Sequence, residues 1–344
     1  MKALLYERFT GPVTVADVPM PVAPDGGAVI RVGASGLCRS DWHAWAGHDD
    51  SVHLPHVPGH EFAGTVHSVG AGVAGWRPGQ RVTAPFVNGC GRCDWCRTGQ
   101  SQVCPDQTQP GFTHWGSHAE FVVVRAADLN LVAVPDSLGD DAAASLGCRF
   151  ATAYRAVRAR ARVLPGEWVS VYGAGGVGLS AVMIAAALGA RVIAVDRSAS
   201  ALELARSVGA EFAIEASDDS AEQIVELTGG GAQVSIDAVG SAETSVAAVR
   251  SLRRRGRHVQ VGLLASGQLP VLPLDRILAW ELDVLGSHGM AAADYPGMLE
   301  LVARGELRPQ QLVGGAVSLE EAARLLPSSA DAPPTGIRVL HPAG

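Results

Sequence analysis

Four of the chain's six cysteines fall in the stretch NGCGRCDWCRTGQSQVC, residues 88–104, as Cys90, Cys93, Cys96 and Cys104, with two, two and seven residues between them. Thiolates bind soft metal ions, and two short spacings followed by a longer return loop can wrap one ion tetrahedrally. A zinc ion held by four thiolates has no open position, so such a site is structural. An iron–sulfur cluster is the rival reading, because Cys104-Pro105 echoes the end of the bacterial ferredoxin run. That run has three residues before its last cysteine, and this chain has seven. Four unliganded thiols in one short lobe form the third reading, and zinc is the expectation.

The two remaining cysteines are Cys38, in GLCRSDWH, and Cys148, in SLGCRFAT. Either one alone reads equally well as a small buried hydrophobe. Between them lies PGHEFAG, residues 58–64, with His60 and Glu61 in a glycine-bounded segment. Cys38, His60 and Cys148 would make a two-sulfur, one-nitrogen set whose fourth position is water, substrate or Glu61. That is the open, catalytic form of zinc coordination. All six cysteines would then serve two metal ions.

A third group of residues points to a dinucleotide. In VSVYGAGGVG, Gly173, Gly175 and Gly178 fill a G-x-G-x-x-G pattern between a strand and a helix, with Gly176 and Val177 inside the loop. The first glycine permits the tight turn, the second a close approach of backbone amides to pyrophosphate, and the third close packing of helix on strand. RVIAVD, residues 191–196, ends in Asp196, an acid at the distance expected for the adenosine ribose. Its charge would repel the 2′-phosphate of NADP, so NAD is expected; Arg197 beside it could serve a phosphate but reads more simply as a solvated arginine.

The elements that must position these groups follow from composition and pattern. The chain has 344 residues, enough for two domains, with 47% hydrophobic and 18% charged residues. A formal net charge of −7 disfavours nucleic acid as a partner. The start, MKALLYERFT, has no apolar core or cleavage-like site, so a cytoplasmic location is expected. The long apolar stretch 168–195 breaks at its glycines into strand, turn, helix and strand, which argues against a membrane span. From about 168 onward β-branched runs alternate with alanine-rich helical ones, the pattern of βαβ units on a parallel sheet. Later runs VSIDAVG (234–240) and HVQVGL (258–263), the latter containing Gly262, read as further strands of that sheet. RSLRRRGR between them is expected to be a solvated helix end, and SSADAPPTG (328–336) a surface loop before a last strand, IRVL.

CRSDWH, GHEFAGTV, the four-cysteine lobe, the Gly147-Cys148 pair and the glycine loop, in this order, resemble the zinc-dependent alcohol dehydrogenases of the medium-chain dehydrogenase/reductase family across essentially the whole chain. The resemblance implies an α/β protein with a GroES-like β-barrel catalytic domain and a Rossmann doubly wound parallel-sheet coenzyme domain. Its boundaries would be a catalytic domain at 1–149 carrying the zinc lobe 88–106, an NAD-binding domain at 150–288, and a return segment at 289–344 completing the catalytic domain. It further implies two zinc ions per chain, NAD as coenzyme, a small alcohol, aldehyde or ketone as substrate, and a homo-oligomer, dimer or tetramer. Zinc on Cys38, His60 and Cys148 would act as a Lewis acid on the alcohol. Ser40 would accept the alcohol proton, His43 would pass it towards solvent, Asp41 would fix the tautomer of His60, and Glu61 would be a displaceable ligand or would shape the field behind the metal. Arg39 and Arg338 match pyrophosphate contacts, and Thr152 and Val177 match positions against the nicotinamide. Gly262 is placed with the cofactor-binding residues. Phe86 matches a substrate-pocket position, and Trp42, Trp45 and Trp115 are further wall candidates.

Other readings keep the fold but change the reaction, to a zinc-containing polyol, threonine or aldehyde–thiol adduct dehydrogenase, or remove it, leaving a non-enzymatic dinucleotide-binding protein. The intact four-cysteine lobe leans away from the polyol enzymes that have lost it, and the ligand cysteines lean away from zinc-free relatives. Ser40 is smaller by a methyl than the threonine of many relatives, so bulky or aromatic alcohols are expected. Metal content tests the ligand reading directly. Elemental analysis should give about two zinc ions per chain, the open site emptying first to a chelator; one zinc, or iron with visible absorption, would overturn it.

Overall fold

The computed structural model describes residues 1–264, 269–329 and 335–343, which group into two compact units. Unit 1 comprises Met1–Ala151, Gly289–Ala303 and Val313–Gly344; unit 2 comprises Thr152–His288 and Arg304–Leu312. The sequence expectation assigned all of 289–344 to the catalytic domain, and Arg304–Leu312 departs from it. Leu307 and Leu312 are buried, and the Arg308 amide points at the Met183 sulfur, 3.4 Å away in unit 2.

Unit 1 is a β-structure. Strands β1 (Lys2–Leu5) and β2 (Thr14–Asp17) form an antiparallel pair. The main sheet uses β3 (Ala28–Leu37), β4 (Phe62–Val69), β5 (Arg81–Thr83), β6 (Phe121–Val124) and β7 (Val132–Ala133). Ala28, Ile30 and Val32 alternate along β3 and pack with Phe62, Val66, Val82, Val122, Val124 and Leu131 into one apolar core. β3 and β4 run antiparallel with Ser35 opposite Phe62. The carboxyl end of β3 therefore lies beside the amino end of β4, which brings Cys38, just after β3, next to His60, just before β4.

Unit 2 is a parallel sheet. Its strands are β8 (Trp168–Tyr172), β9 (Arg191–Asp196), β10 (Phe212–Glu215), β11 (Ala232–Asp237), β12 (Leu252–Gln260) and β13 (Asp283–Gly286). They order as β10-β9-β8-β11-β12-β13, every pair parallel. The order reverses between β8 and β11, and ligands of such sheets bind outside the strand carboxyl ends at that switch point. After Gly289–Ala303 in unit 1 and Arg304–Leu312 in unit 2, the chain adds β14 (Val313–Val317) and β15 (Ile337–Leu340) to unit 1, β15 pairing antiparallel with β3.

Two local expectations change. The arginine run is not a helix end: the helix Ala242–Arg250 stops at Arg250, and Arg253, Arg254, Arg255 and Arg257 lie on β12. Fully buried Leu252 opens that strand, and the guanidiniums are spent outside it, Arg257 on Glu167, Arg255 on Glu281, and Arg254 near the Trp280 ring. Of the loop expected at 328–336, residues 330–334 lie outside the described residues. Among the described residues no helix is long and apolar enough to cross a membrane; the apolar stretch is β8, the helix Gly176–Ala187 and β9.

Gly178 has the least freedom in unit 2. A Cβ there would lie 1.7 Å from the Gly173 carbonyl oxygen, a backbone atom, where Gly173 itself holds φ +90°. Gly178→Ala should lower stability by about 3 kcal/mol, the upper range of overpacking, and should reduce dinucleotide affinity in parallel; an unchanged melting temperature would count against this packing.

Candidate active site

The cysteine lobe is built from tight turns. Cys93 precedes the one-turn helix Asp94–Arg97, and Cys104 follows the short helix Ser101–Val103. Asn130 clamps the lobe's base, its side chain giving and accepting 2.9 Å hydrogen bonds with the Gly89 backbone. The four sulfurs lie within 4.8 Å of one another, with Cys93 Sγ 3.5 Å from Cys96 Sγ and 3.6 Å from Cys104 Sγ. A tetrahedron of ~2.3 Å metal–sulfur bonds has edges of about 3.8 Å, so the set suits one ion. An iron–sulfur cluster would need the cysteines spread around its own sulfide core. The Arg92 amide draws the Cys90 thiol down to about 6, and burial pushes Cys104 up to about 12. A dication bound to all four would remove that spread.

The second set is Cys38 Sγ, a nitrogen of His60 and Cys148 Sγ, again within 4.8 Å of one another. All three residues are buried. Cys38 caps the amino end of the helix Arg39–Trp45, and Asp41, three residues on, returns its carboxylate to the Cys38 amide at 2.8 Å. The other carboxylate oxygen accepts from the Gly59 amide at 3.1 Å and from His60 Nδ1 at 2.9 Å. An ionised carboxylate only accepts, so the His60 proton sits on Nδ1 and Nε2 is left bare. Nε2 is buried without a partner among the described residues. A buried, unpartnered imidazole nitrogen beside two thiols fits a zinc ion.

The electrostatics agree with that fit. Burial acts to raise the Asp41 pKa, yet the imidazoles of His60 and His118 hold it below the ordinary carboxylate range. Burial also opposes charge on His60, but Asp41 and Cys38 raise its pKa above the usual value. The contact between Cys38 and Cys148 draws the first thiol down and pushes the second up.

Glu61 is paired with Arg149. Its Oε1 lies 2.5 Å from Arg149 Nη2 and its Oε2 accepts from the Arg149 amide at 3.4 Å. Burial pushes its carboxyl up to about 7 even against that guanidinium. Ser40 sits beside the metal set, Oγ 3.8 Å from Cys38 Sγ. His43, one turn further along the helix, is half-buried, its Nδ1 3.1 Å from Nδ1 of His48; burial, then Arg39 and His48, lower its pKa. Trp42 packs edge-on against both of these imidazoles, with ring centroids 5.0 and 5.3 Å away.

Phe86 stands edge-on to His60 at 6.1 Å. Of the other tryptophans, Trp45 donates to the Gly11 carbonyl, and Trp115 donates to the Pro55 carbonyl and lines a groove of about 580 Å³ with His56, Phe112 and His114. Three residues around the site escaped sequence reasoning. Phe112 lies 5.1 Å from the His60 ring, His118 is fully buried near Asp41, and Arg149 pairs with Glu61. Only Arg149 carried a signal, a charge directly after a ligand cysteine in an otherwise apolar segment.

In unit 2, Asp196 ends β9 with Oδ2 accepting from the Ala174 amide at 2.6 Å and Oδ1 from the Ser198 amide at 2.8 Å. The carboxylate is thereby held against the glycine loop. Gly175 caps the helix Gly176–Ala187, and a Cβ there would meet nothing within 4 Å, so the backbone is open to a close-lying ligand. Gly176 and Val177 begin that helix, half-exposed, and Arg197 is exposed. Gly262 serves backbone packing: a Cβ would lie 2.3 Å from the Gly240 amide nitrogen. Thr152 Oγ1 is buried without a partner among the described residues. In unit 1 the strand register sets Arg338 opposite Leu37, two residues before Arg39, so residues from opposite ends of the chain share one sheet end.

Comparison with known proteins agrees with both halves of this arrangement. Residues 24–136 match the alcohol dehydrogenase GroES-like domain family, and residues 176–304 match the zinc-binding dehydrogenase family. An alcohol dehydrogenase of Geobacillus stearothermophilus is 35% identical over 312 residues, 90% of each chain. An NAD-dependent alcohol dehydrogenase of Sulfurisphaera tokodaii is 32% identical over 354 residues, 99% of this chain and all of its own. The structure of benzyl alcohol dehydrogenase from Acinetobacter calcoaceticus superposes with a TM-score of 0.91 at 25% identity, covering 99% of this chain and 98% of that one. By full-length similarity and by its paired domains, the chain belongs to the zinc-type alcohol dehydrogenases of the medium-chain dehydrogenase/reductase family.

Proposed function

We propose that this protein is an oxidoreductase that moves hydride between a primary or secondary alcohol, or the matching aldehyde or ketone, and NAD(H). The observation that carries the reading is the buried, unpartnered His60 Nε2 beside Cys38 and Cys148. Those three residues would hold the catalytic zinc, and Cys90, Cys93, Cys96 and Cys104 the structural one. When bound, zinc supplies a Lewis acid to the substrate oxygen and NAD supplies the hydride acceptor.

The chain's own residues then handle orientation and the proton. Asp41 holds His60 in the tautomer that turns Nε2 inward. Ser40, at the edge of the sulfur set, accepts the substrate hydroxyl proton and gives up its own. His43 receives that proton; burial and its cationic neighbours keep it neutral, and so able to accept, near neutral pH. Phe86 and Phe112 place aromatic surface near His60, which keeps water from the reacting oxygen. Together with the small Ser40 they favour bulky or aromatic alcohols. Asp196, fixed by two backbone amides, favours the ribose hydroxyls of NAD over the phosphate of NADP. Arg39 and Arg338 are assigned to the coenzyme pyrophosphate, and Thr152 and Val177 to the nicotinamide.

Self-association and a reducing location complete the proposal. The helix Leu274–Trp280 has no buried residue, Leu274 and Leu278 are 72% and 81% exposed on one face, and β13 ends the parallel sheet. An apolar face beside a sheet edge suits a second copy of the chain, and light scattering should give a dimer or tetramer rather than a monomer. Six free cysteines suit the cytoplasm.

The proton route gives the decisive test of the enzyme reading. Ser40→Ala should keep both zinc ions and NAD affinity while turnover falls by roughly two to four orders of magnitude, the span of a positioned acid–base group. Wild-type turnover in that variant, with hydride transfer shown to be rate-limiting by a deuterated alcohol, would exclude the route.

A further inference from the structure

One arginine touches a neighbour of every proposed ligand of the open site. Arg149 directly follows Cys148. Its Nη1 donates to the carbonyl of Leu37, the residue before Cys38, at 3.2 Å, and its Nη2 lies 2.5 Å from Oε1 of Glu61, the residue after His60. The arginine is 5% exposed and Glu61 is 0% exposed. The backbone makes room for the pair: a Cβ at Gly36 would lie 2.6 Å from Arg149 Nη2 and 2.7 Å from Glu61 Cγ and Cδ.

A fully buried carboxylate needs a charged or strongly hydrogen-bonding partner. Glu61 has one such partner in Arg149, and its position next to His60 makes a metal at the open site the competing one. Both of its oxygens face Arg149. If the guanidinium were removed, the strongest remaining attraction for Glu61 would be the metal, whose open position it would take from the substrate.

We propose that Arg149 is a positioning residue that withholds Glu61 from the metal, so that the fourth position stays open to substrate. The proposal rests on the metal reading given above. It makes Glu61 a group of the surroundings in the resting protein, and it makes the arginine after Cys148 the reason.

Cobalt(II) exchanged for zinc at the open site of the full-length protein reads the ligand set through its visible absorption. Glu61→Gln should leave that spectrum as in the wild type; a changed spectrum would mean that Glu61 is already a ligand and would overturn the proposal. Arg149→Gln, and Arg149→Met as a second variant, should shift the spectrum, and adding Glu61→Gln to either should restore it. Zinc should leave Arg149→Gln about tenfold more slowly than Arg149→Gln/Glu61→Gln in excess chelator, a change at the low end of those caused by a metal's outer partners. A merely structural arginine would weaken metal retention in both and give no rescue by Glu61→Gln, and that result, or unshifted spectra in both arginine variants, would refute the role. Wild-type protein that takes up metal only at the four-thiol lobe would refute the metal reading itself.

Discussion

The open site depends on the buried carboxylate of Asp41. Desolvating a lone carboxylate costs several kcal/mol, and Asp41 is fully buried. Three N–H groups offset that cost, from Cys38, Gly59 and His60. These belong to the two segments that carry the first two ligands, so the interactions that make the carboxylate tolerable also fix the distance between Cys38 and His60. The helix that begins at Cys38 is capped by the same group. Ser40 and His43 follow on that helix, so the residues proposed to handle the proton are placed by the interaction that orients His60.

The two metal sets differ in construction as they differ in openness. The four-thiol lobe draws its sulfurs from one short stretch folded by turns, and Asn130 ties its base to the rest of unit 1. The three-residue set draws on the end of one strand, the start of its antiparallel neighbour, and the Gly147–Cys148 turn. That turn is secured by Phe86 and Tyr295, which bond the backbone of Gly147 and Leu146. A site assembled from distant segments needs outer partners to hold each of them; Asp41 bonds the Cys38 and His60 segments, and Arg149, next to Cys148, bonds Leu37 and Glu61. A site made by local turns needs fewer.

Unit 2 applies a different rule. Its parallel strands all end on one side, where the turn after β8, the acid that ends β9 and the turn after β11 converge. Asp237, buried at the end of β11, accepts from the Val239 and Gly240 amides and from Ser245 and Gln260, which ties the switch-side turn to β12. Backbone close approach governs this edge, which is why Gly178 and Gly262 are set by neighbouring carbonyl and amide groups.

Local patterns determined much of this protein. The cysteine spacings, the glycine loop between strand and helix, the acid ending RVIAVD and the alternation of strands and helices are short-range features, and their geometry follows from residues a few positions apart. Family resemblance extended them to a two-domain fold and to Ser40, His43 and Asp41. Tertiary structure alone decided the pairing of Glu61 with Arg149, the groove that takes Trp115, and the place of Phe112 and His118. It also decided that the arginine run continues a sheet and that Arg304–Leu312 packs with unit 2. The reason is common to all of these: a buried charge takes whichever partner lies within reach, and an apolar residue whichever face is free. Both are settled by strand register and packing between segments far apart in the chain, which no local spacing records.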